Sequence, residues 1–420
     1  MKKAKQLIAI FAIMSVSGIS ANDAPEKGPK TGWNLGPLPT ISYNSDLGFQ
    51  YGALCSFFYY GDGSTFPEYR HMFNIQASQF SKGTGMYHFF YDSKYLIPAS
   101  RLTFAATYLP NKKMAFQGFN GYASPFDDAQ PIDFYSIDRK MLRILADYQR
   151  KIGDNLNWAA GFSFWNCQIE RVKTDSYKDK PTLYDLYLDK GIINPEEASG
   201  GSQIEMKLGL VYDTRDHEAA PSKGIWAEIV AYGSPDVIDK NNHAYLKLST
   251  HYRHYIPLVS DRMIFAYHLA YQGTVAGNAP FYIQQNITTL YLRQVNSEGL
   301  GGINTLRGVL YNRVVGDGLL WGNFELRYKL FNFRFLKQQW YAGVNPFFDA
   351  GRVVQTYKLQ EMKNSGKEIY SGEAEKMHYG AGLGVKFVMN RNFIISAEFG
   401  KSFDDRDGKS GMNIGLNYIF

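Results

Sequence analysis

The 420-residue sequence predicts an all-β fold, a sixteen-stranded antiparallel transmembrane β-barrel, and three observations carry that prediction. The chain opens with an export signal, apolar and polar residues alternate with period two in sixteen later segments, and the connections between those segments sort by length onto two sides. Composition points the same way. Aromatic residues make up 16% of the chain, with 31 Tyr, 29 Phe and 40 Gly, yet the mean hydropathy is −0.31. A barrel hides its apolar residues at alternate positions, where a window average cancels them.

Residues 1–21 read as a signal peptide. Lys2, Lys3 and Lys5 form the charged start, Leu7 to Val16 the apolar run, and Gly18-Ile19-Ser20 or Ile19-Ser20-Ala21 the small-residue cleavage site. The apolar run is too short for a membrane helix, which needs roughly 20 residues. Residues 22–38 then make a short periplasmic segment, and 39–420 the barrel. No Cys follows the cleavage region, so a lipoprotein anchor is not indicated. The net charge of +6 falls to +3 without the three signal lysines, 42 basic against 39 acidic residues, which argues against nucleic acid as a partner.

The sixteen segments lie near 39–45, 48–60, 69–80, 86–96, 100–109, 140–151, 155–172, 202–215, 224–233, 243–256, 261–274, 317–330, 338–350, 376–389, 392–402 and 410–420. Tilted strands of about 9 to 11 residues cross a bilayer. From 203 to 215, Gln203, Glu205, Lys207, Gly209, Asp213 and Arg215 alternate with Ile204, Met206, Leu208, Leu210 and Tyr212. From 376 to 388, His378, Gly380, Gly382, Gly384 and Lys386 alternate with Tyr379, Ala381, Leu383, Val385 and Phe387. A soluble barrel would give the same alternation with its faces exchanged; the signal peptide, the ring-rich apolar face and the strand count favour lipid outside and charge inside. With both ends of the barrel periplasmic, short turns fall at 97–99, 153–155, 257–260 and 390–391. The long loops 110–139, 173–201, 275–316 and 351–375 then all lie outside the cell.

The last strand places Met412, Ile414, Leu416, Tyr418 and Phe420 on the outward face. With Gly415, this aromatic ending resembles the β-signal that hands outer-membrane proteins to their assembly machinery.

Two stretches narrow the class. Gly209-Leu210-Val211-Tyr212-Asp213-Thr214-Arg215-Asp216, followed by Pro221-Ser222-Lys223-Gly224, resembles the strand, turn and strand signature of the BamA/TamA family, the bacterial surface antigen family. Leu306-Arg307-Gly308-Val309 resembles that family's Arg-Gly motif, carried on a loop folded back into the barrel. Gly322 to Tyr328 and Pro346 to Gly351 are similar to its next two strands, in the expected order, and Phe116 to Gly121 is a looser match. The long loop contains Gly299, Gly301, Gly302 and Gly308, so its backbone can turn tightly and approach other groups. An Arg on such a loop can fork to a carboxylate, a geometry Lys cannot copy. The resemblance implies that Arg307 meets Asp349, with Glu325 as second partner and Phe347 beside them.

Other candidates are weaker. His251 and His254 are three apart on a strand and face opposite sides, so they cannot share a metal. Asp404 to Gly408 could hold calcium, but an Asp-Gly turn explains it as well. No nucleophile elbow or other catalytic constellation appears, and no cofactor is indicated. Cys55 points outward and Cys167 inward, which excludes a disulfide between them.

The resemblance implies insertion of proteins into the outer membrane, or translocation across it, with client strands pairing at a weak seam between first and last strands. Its partners would be outer-membrane lipid, unfolded client proteins and a separate periplasmic protein. The separate protein is implied because only about twenty residues lie between the cleavage site and Thr40, too few for a periplasmic POTRA domain. The residues leave open a diffusion channel or small-molecule transporter gated by the long loop.

Overall fold

A computed structural model describes residues 30–66, 68–177, 180–235, 237, 243–260, 262–290, 298–335, 338–390 and 393–420; the signal peptide lies outside them. The period-two segments become sixteen strands. They are β1 Trp33–Asn44, β2 Gly48–Tyr59, β3 His71–Phe80, β4 Gly85–Ser93, β5 Ser100–Ala115 and β6 Ser136–Lys151. Then follow β7 Leu156–Arg171, β8 Gly200–Asp213, β9 Gly224–Ser234, β10 Tyr245–Val259 and β11 Met263–Gly277. The last five are β12 Gly318–Phe335, β13 Gln338–Gln355, β14 His378–Met389, β15 Phe393–Ser402 and β16 Ser410–Leu416. Every strand pairs antiparallel with its sequence neighbours, and β1 meets β16 to close the barrel. Closure joins the two end strands of the sheet into one ring, the arrangement by which a sheet can sit in hydrocarbon, though the β1–β16 contact is short.

The faces sort as the alternation predicts. Met206, Leu208, Leu210 and Tyr212 are exposed to the surroundings of the barrel, while Gln203, Glu205 and Lys207 are buried in the lumen. No helix among the described residues is long and apolar enough to cross a membrane. A closed sheet with an apolar outer face and a charged lumen is the arrangement an outer-membrane barrel requires.

Long outer loops close the extracellular end. Residues from 116–135, 172–199, 278–317 and 356–377 build a hydrophobic dome around Phe116, Phe119, Leu183, Tyr187, Ile283 and Met362. Within it, a short helix Leu183–Asp189 starts on a capping box between Thr182 and Asp185.

Several boundaries differ from the sequence-based expectation. Strand β1 begins at Trp33 rather than near 39, and Pro37 and Pro39 sit within its ladder to β2. Strands β5, β12 and β13 each run at least five residues further, their ladders carried on through register shifts at Asn111/Met114, Lys329/Phe331 and Gly318/Leu319 that a strict period-two pattern does not anticipate. Two periplasmic connections, 60–70 and 214–223, are themselves ten residues or longer, so the sorting of loops by length is less strict than the sequence suggests.

The largest correction is at the end of the chain. Strand β16 stops at Leu416, and Tyr418 and Phe420 turn into the lumen instead of facing lipid. Asn417 takes a left-handed conformation with φ +70°, which breaks the ladder. Inside, the Arg327 guanidinium lies 4.0 Å from the Tyr418 ring centroid and donates to the Phe420 backbone oxygen at 2.9 Å. Phe420 packs with Tyr255, Ile264 and Ala266. A desolvated cation over aromatic faces offsets the loss of strand pairing, and a one-residue change of hand leaves no trace in a period-two pattern.

The closed barrel predicts β-rich circular dichroism in detergent and heat-modifiable migration on gels. Identical migration before and after boiling, together with solubility without detergent, would contradict the membrane assignment.

Candidate functional site: the lumen lock and the seam

The connection from β11 to β12 enters the barrel: its described residues, 278–290 and 298–317, bond and pack against the lumen face of the wall. Leu300, Leu306, Val309 and Val314 bury against Ala270, Leu319, Trp321 and Val353 of the wall, giving the loop an apolar anchor. Its tip is fixed by charge. Arg307 forks onto Asp349 of β13, with Nε and Nη2 each 2.8 Å from a carboxylate oxygen, while its backbone N–H donates to the same carboxylate at 2.9 Å. Nη1 reaches Glu325 of β12 at 2.5 Å and Glu398 of β15 at 3.0 Å. The guanidinium lies 3.7 Å from the Phe347 ring centroid.

Two further cations balance the carboxylates. Arg327 donates to Glu325 at 2.8 Å, and Lys386 of β14 to Glu398 at 2.8 Å. Three cations thus alternate with three carboxylates in a network with almost no exposure. Each ion has an opposite neighbour, which offsets the cost of burial.

Glycine makes the close approach possible. Gly308 has φ +96°, and a Cβ there would meet the Lys401 backbone at 2.7 Å. A Cβ on Gly380 would meet the Arg307 carbonyl oxygen at 2.1 Å, so the wall must be bare where the loop tip rests. Above the tip, Arg313 donates to the carbonyls of Gly121 and Arg406, at 3.1 and 3.0 Å, tying the loop to two outer loops.

The structure therefore brings Leu306, Arg307, Gly308 and Val309 together with Asp349, Glu325 and Phe347. It also adds Glu398, Lys386 and Gly380, which sequence reasoning missed. Lys386 and Gly380 were already legible as lumen residues, but nothing local ties them to Arg307. The strand-turn residues form a separate unit. Arg215 forks onto Asp213 at 2.9 and 2.6 Å, and the Asp216 carboxylate accepts from the Ser222 and Lys223 backbone at 2.8 and 3.1 Å. Pro221 is buried, and Gly224 has φ +103°.

The weaker candidates resolve plainly. His251 stacks on His268 in the lumen, with 3.0 Å between ring nitrogens, while His254 bonds Tyr267. Asp404 is taken up by Arg406 at 2.9 and 2.6 Å. Among the described residues no His, Cys, Asp or Glu cluster could hold a metal. Cys55 and Cys167 are both free.

The seam is the other distinctive feature. Strand β1 pairs with β2 at twelve positions, but with β16 only at Tyr43↔Ile414 and Asn44↔Asn413. Just above these, Ser45 N–H donates to the Met412 carbonyl at 2.9 Å. The seam is therefore closed at its extracellular end, and Trp33 to Ser42 have no ladder to β16.

A family model, the Omp85 superfamily domain, matches residues 77–420. The chain belongs to the Omp85 superfamily. Among solved structures, BamA from Haemophilus ducreyi lacking POTRA domains 1–3 aligns with a TM-score of 0.59 at 15% identity, covering 93% of this chain and 71% of that one. CdiB from Acinetobacter baumannii aligns with a TM-score of 0.47 at 13% identity, covering 93% of this chain and 60% of that one. No curated protein matches. At these identities the BamA likeness speaks for the fold alone. It agrees with an Omp85 barrel in the bacterial outer membrane.

Replacing Arg307 or Asp349 with Ala strands a buried charge in this Omp85 barrel, at a cost of about 3 to 5 kcal/mol. The expected outcome is raised single-channel conductance and a lower unfolding temperature. In a double-mutant cycle the two changes should be strongly non-additive; additive effects would show that the pair is not coupled.

Proposed function

We propose that this protein inserts other proteins into the outer membrane, or moves them across it, by admitting client strands at the seam between β1 and β16. The observation that carries this reading is the edge of β1 from Trp33 to Ser42, which has no partner on β16. An unpaired edge offers backbone N–H and C=O groups to an incoming strand, and an extended client can add to it by β-augmentation. Pro37 and Pro39 on that edge cannot donate, and Gly411 and Gly415 on β16 give no side chain to pack, so few interactions oppose opening.

Membership of the Omp85 superfamily supports insertion or translocation as the class of activity. The contents of the barrel support it against free diffusion. A lumen filled by a locked loop and capped by a hydrophobic dome is poorly suited to passing solutes. Unfolded client proteins, a periplasmic partner that delivers them and the lipid around the seam are the partners this function requires.

The test is a cysteine pair replacing Tyr43 and Ile414, which face each other across the seam, with Cys55 and Cys167 changed to Ser. The oxidised barrel is expected to fail, and the reduced barrel to succeed, in restoring the outer-membrane proteome of a deletion strain. Equal rescue by both forms would remove lateral opening from the mechanism and leave the diffusion channel as the better reading.

A further inference from the structure

The turn 214–223 joins β8 to β9, whose other neighbours in the wall are β7 and β10. A hairpin connection ordinarily contacts only its own strands. This one does not. Glu218 pairs with Lys94 at 3.0 Å and with Arg101 at 3.1 Å, which belong to the β4–β5 connection and the start of β5. Two residues later, Ala220, like Tyr341 of β13, packs against the cluster of Val388, Ile394 and Tyr418. Pro221 and Ser222 share a small cavity with Arg327, Tyr341, Lys386 and Tyr418. A ten-residue turn that touches β5 on one side and β12 to β14 on the other has to cross the periplasmic opening of the barrel.

Its base is stiff. The Asp213–Arg215 fork, the stacking of Arg215 on Trp226 at 4.2 Å and the Asp216 cap fix both legs of the turn. A Cβ on Gly224 would meet the Thr214 carbonyl oxygen at 2.3 Å, so the legs are pressed together. The far end is held by Glu218. Burial opposes its ionisation, but Arg101 and Lys94 prevail and hold its carboxyl well below the usual carboxylate range. Arg101 is itself fixed, donating to Asp92 at 2.7 and 2.9 Å.

We infer that residues 214–223 form a strap across the periplasmic mouth, latched by Glu218 on Lys94 and Arg101, which retains the inward-turned residues 417–420 inside the lumen. Those residues directly follow β16, so a strap that holds them also holds the periplasmic end of the seam strand. Releasing the latch exposes the cavity and the tail to the periplasm. This device does not depend on what passes the seam, and its test needs no client.

The test places a reporter cysteine at Ile419, with Cys55 and Cys167 changed to Ser, in the full-length barrel in detergent, and follows its modification by a charged thiol reagent. Glu218→Gln removes the latch charge and is expected to raise the rate about two- to fivefold, the shift open to a half-exposed ion pair in a two-state equilibrium. Glu218→Asp, which keeps the charge, should raise it much less. High salt should speed the parent towards the Gln variant and leave the variant itself nearly unchanged. Heat-modifiable migration of each variant shows that the barrel is folded. Equal rates in folded parent and Glu218→Gln, or a parent that reacts as fast as a free thiol, would overturn the proposal.

Discussion

One buried guanidinium organises the inside of this barrel. Arg307 sits at the tip of a loop that has entered the lumen, and it meets carboxylates from β12, β13 and β15. A charge so placed is tolerable only if each partner is present, and each partner carboxylate is tolerable only because of it and its companions Arg327 and Lys386. The apolar cluster behind the tip supplies most of the contact area, but contact of that kind is not directional. The forked ion pair selects one position of the loop, and the bare backbone at Gly380 and Gly308 lets it get there.

The same network reaches the seam. Arg327, which neutralises Glu325, also carries the Tyr418 and Phe420 rings and the Phe420 backbone oxygen. Loop tip, chain end and strand closure are therefore linked through one residue of β12. Turning the chain end inward shortens β16 to seven residues and leaves most of β1 unpaired on that side. A well-packed lumen and a poorly closed wall are two aspects of one arrangement.

Much of this was legible in the sequence. Strand number, order and the face of each residue follow from period-two alternation, because lipid and lumen demand opposite chemistry at successive positions. Arg307 with Asp349 and Glu325 followed from a resemblance rather than from spacing, since the three lie on different elements. Glu398 stayed hidden for the same reason: it is one of several lumen carboxylates, and only the closed barrel shows which of them faces the loop. Tyr418 and Phe420 were assigned to the wrong face because alternation extrapolates a strand until something breaks it, and Asn417 is a subtle break. Asp213, Arg215 and Gly224 were recognisable as a motif, but the crossing made by Glu218 is a relation between distant connections that no local pattern encodes.

The distribution of the loop's attachments gives the barrel an uneven stiffness. Hydrogen bonds and ion pairs from residues 278–317 reach β5 and β6 through Asn312 and Glu298, and run on through β9, β10, β12 and β13 to β15. On the other side the loop is tied at the β1–β2 turn, where the Tyr311 backbone donates to Asp46, and Met86 of β4 packs on the dome. Beyond these, β2 to β4 are held by their own ladders and by short side-chain bonds such as Gln50 to Ser78. The wall is thus a heavily braced arc from β5 to β15 joined to a lightly braced panel whose extracellular corner is tied at Asp46. Under lateral load the untied periplasmic part of that panel yields first, so the seam would widen there by bending β1 outward from its own side.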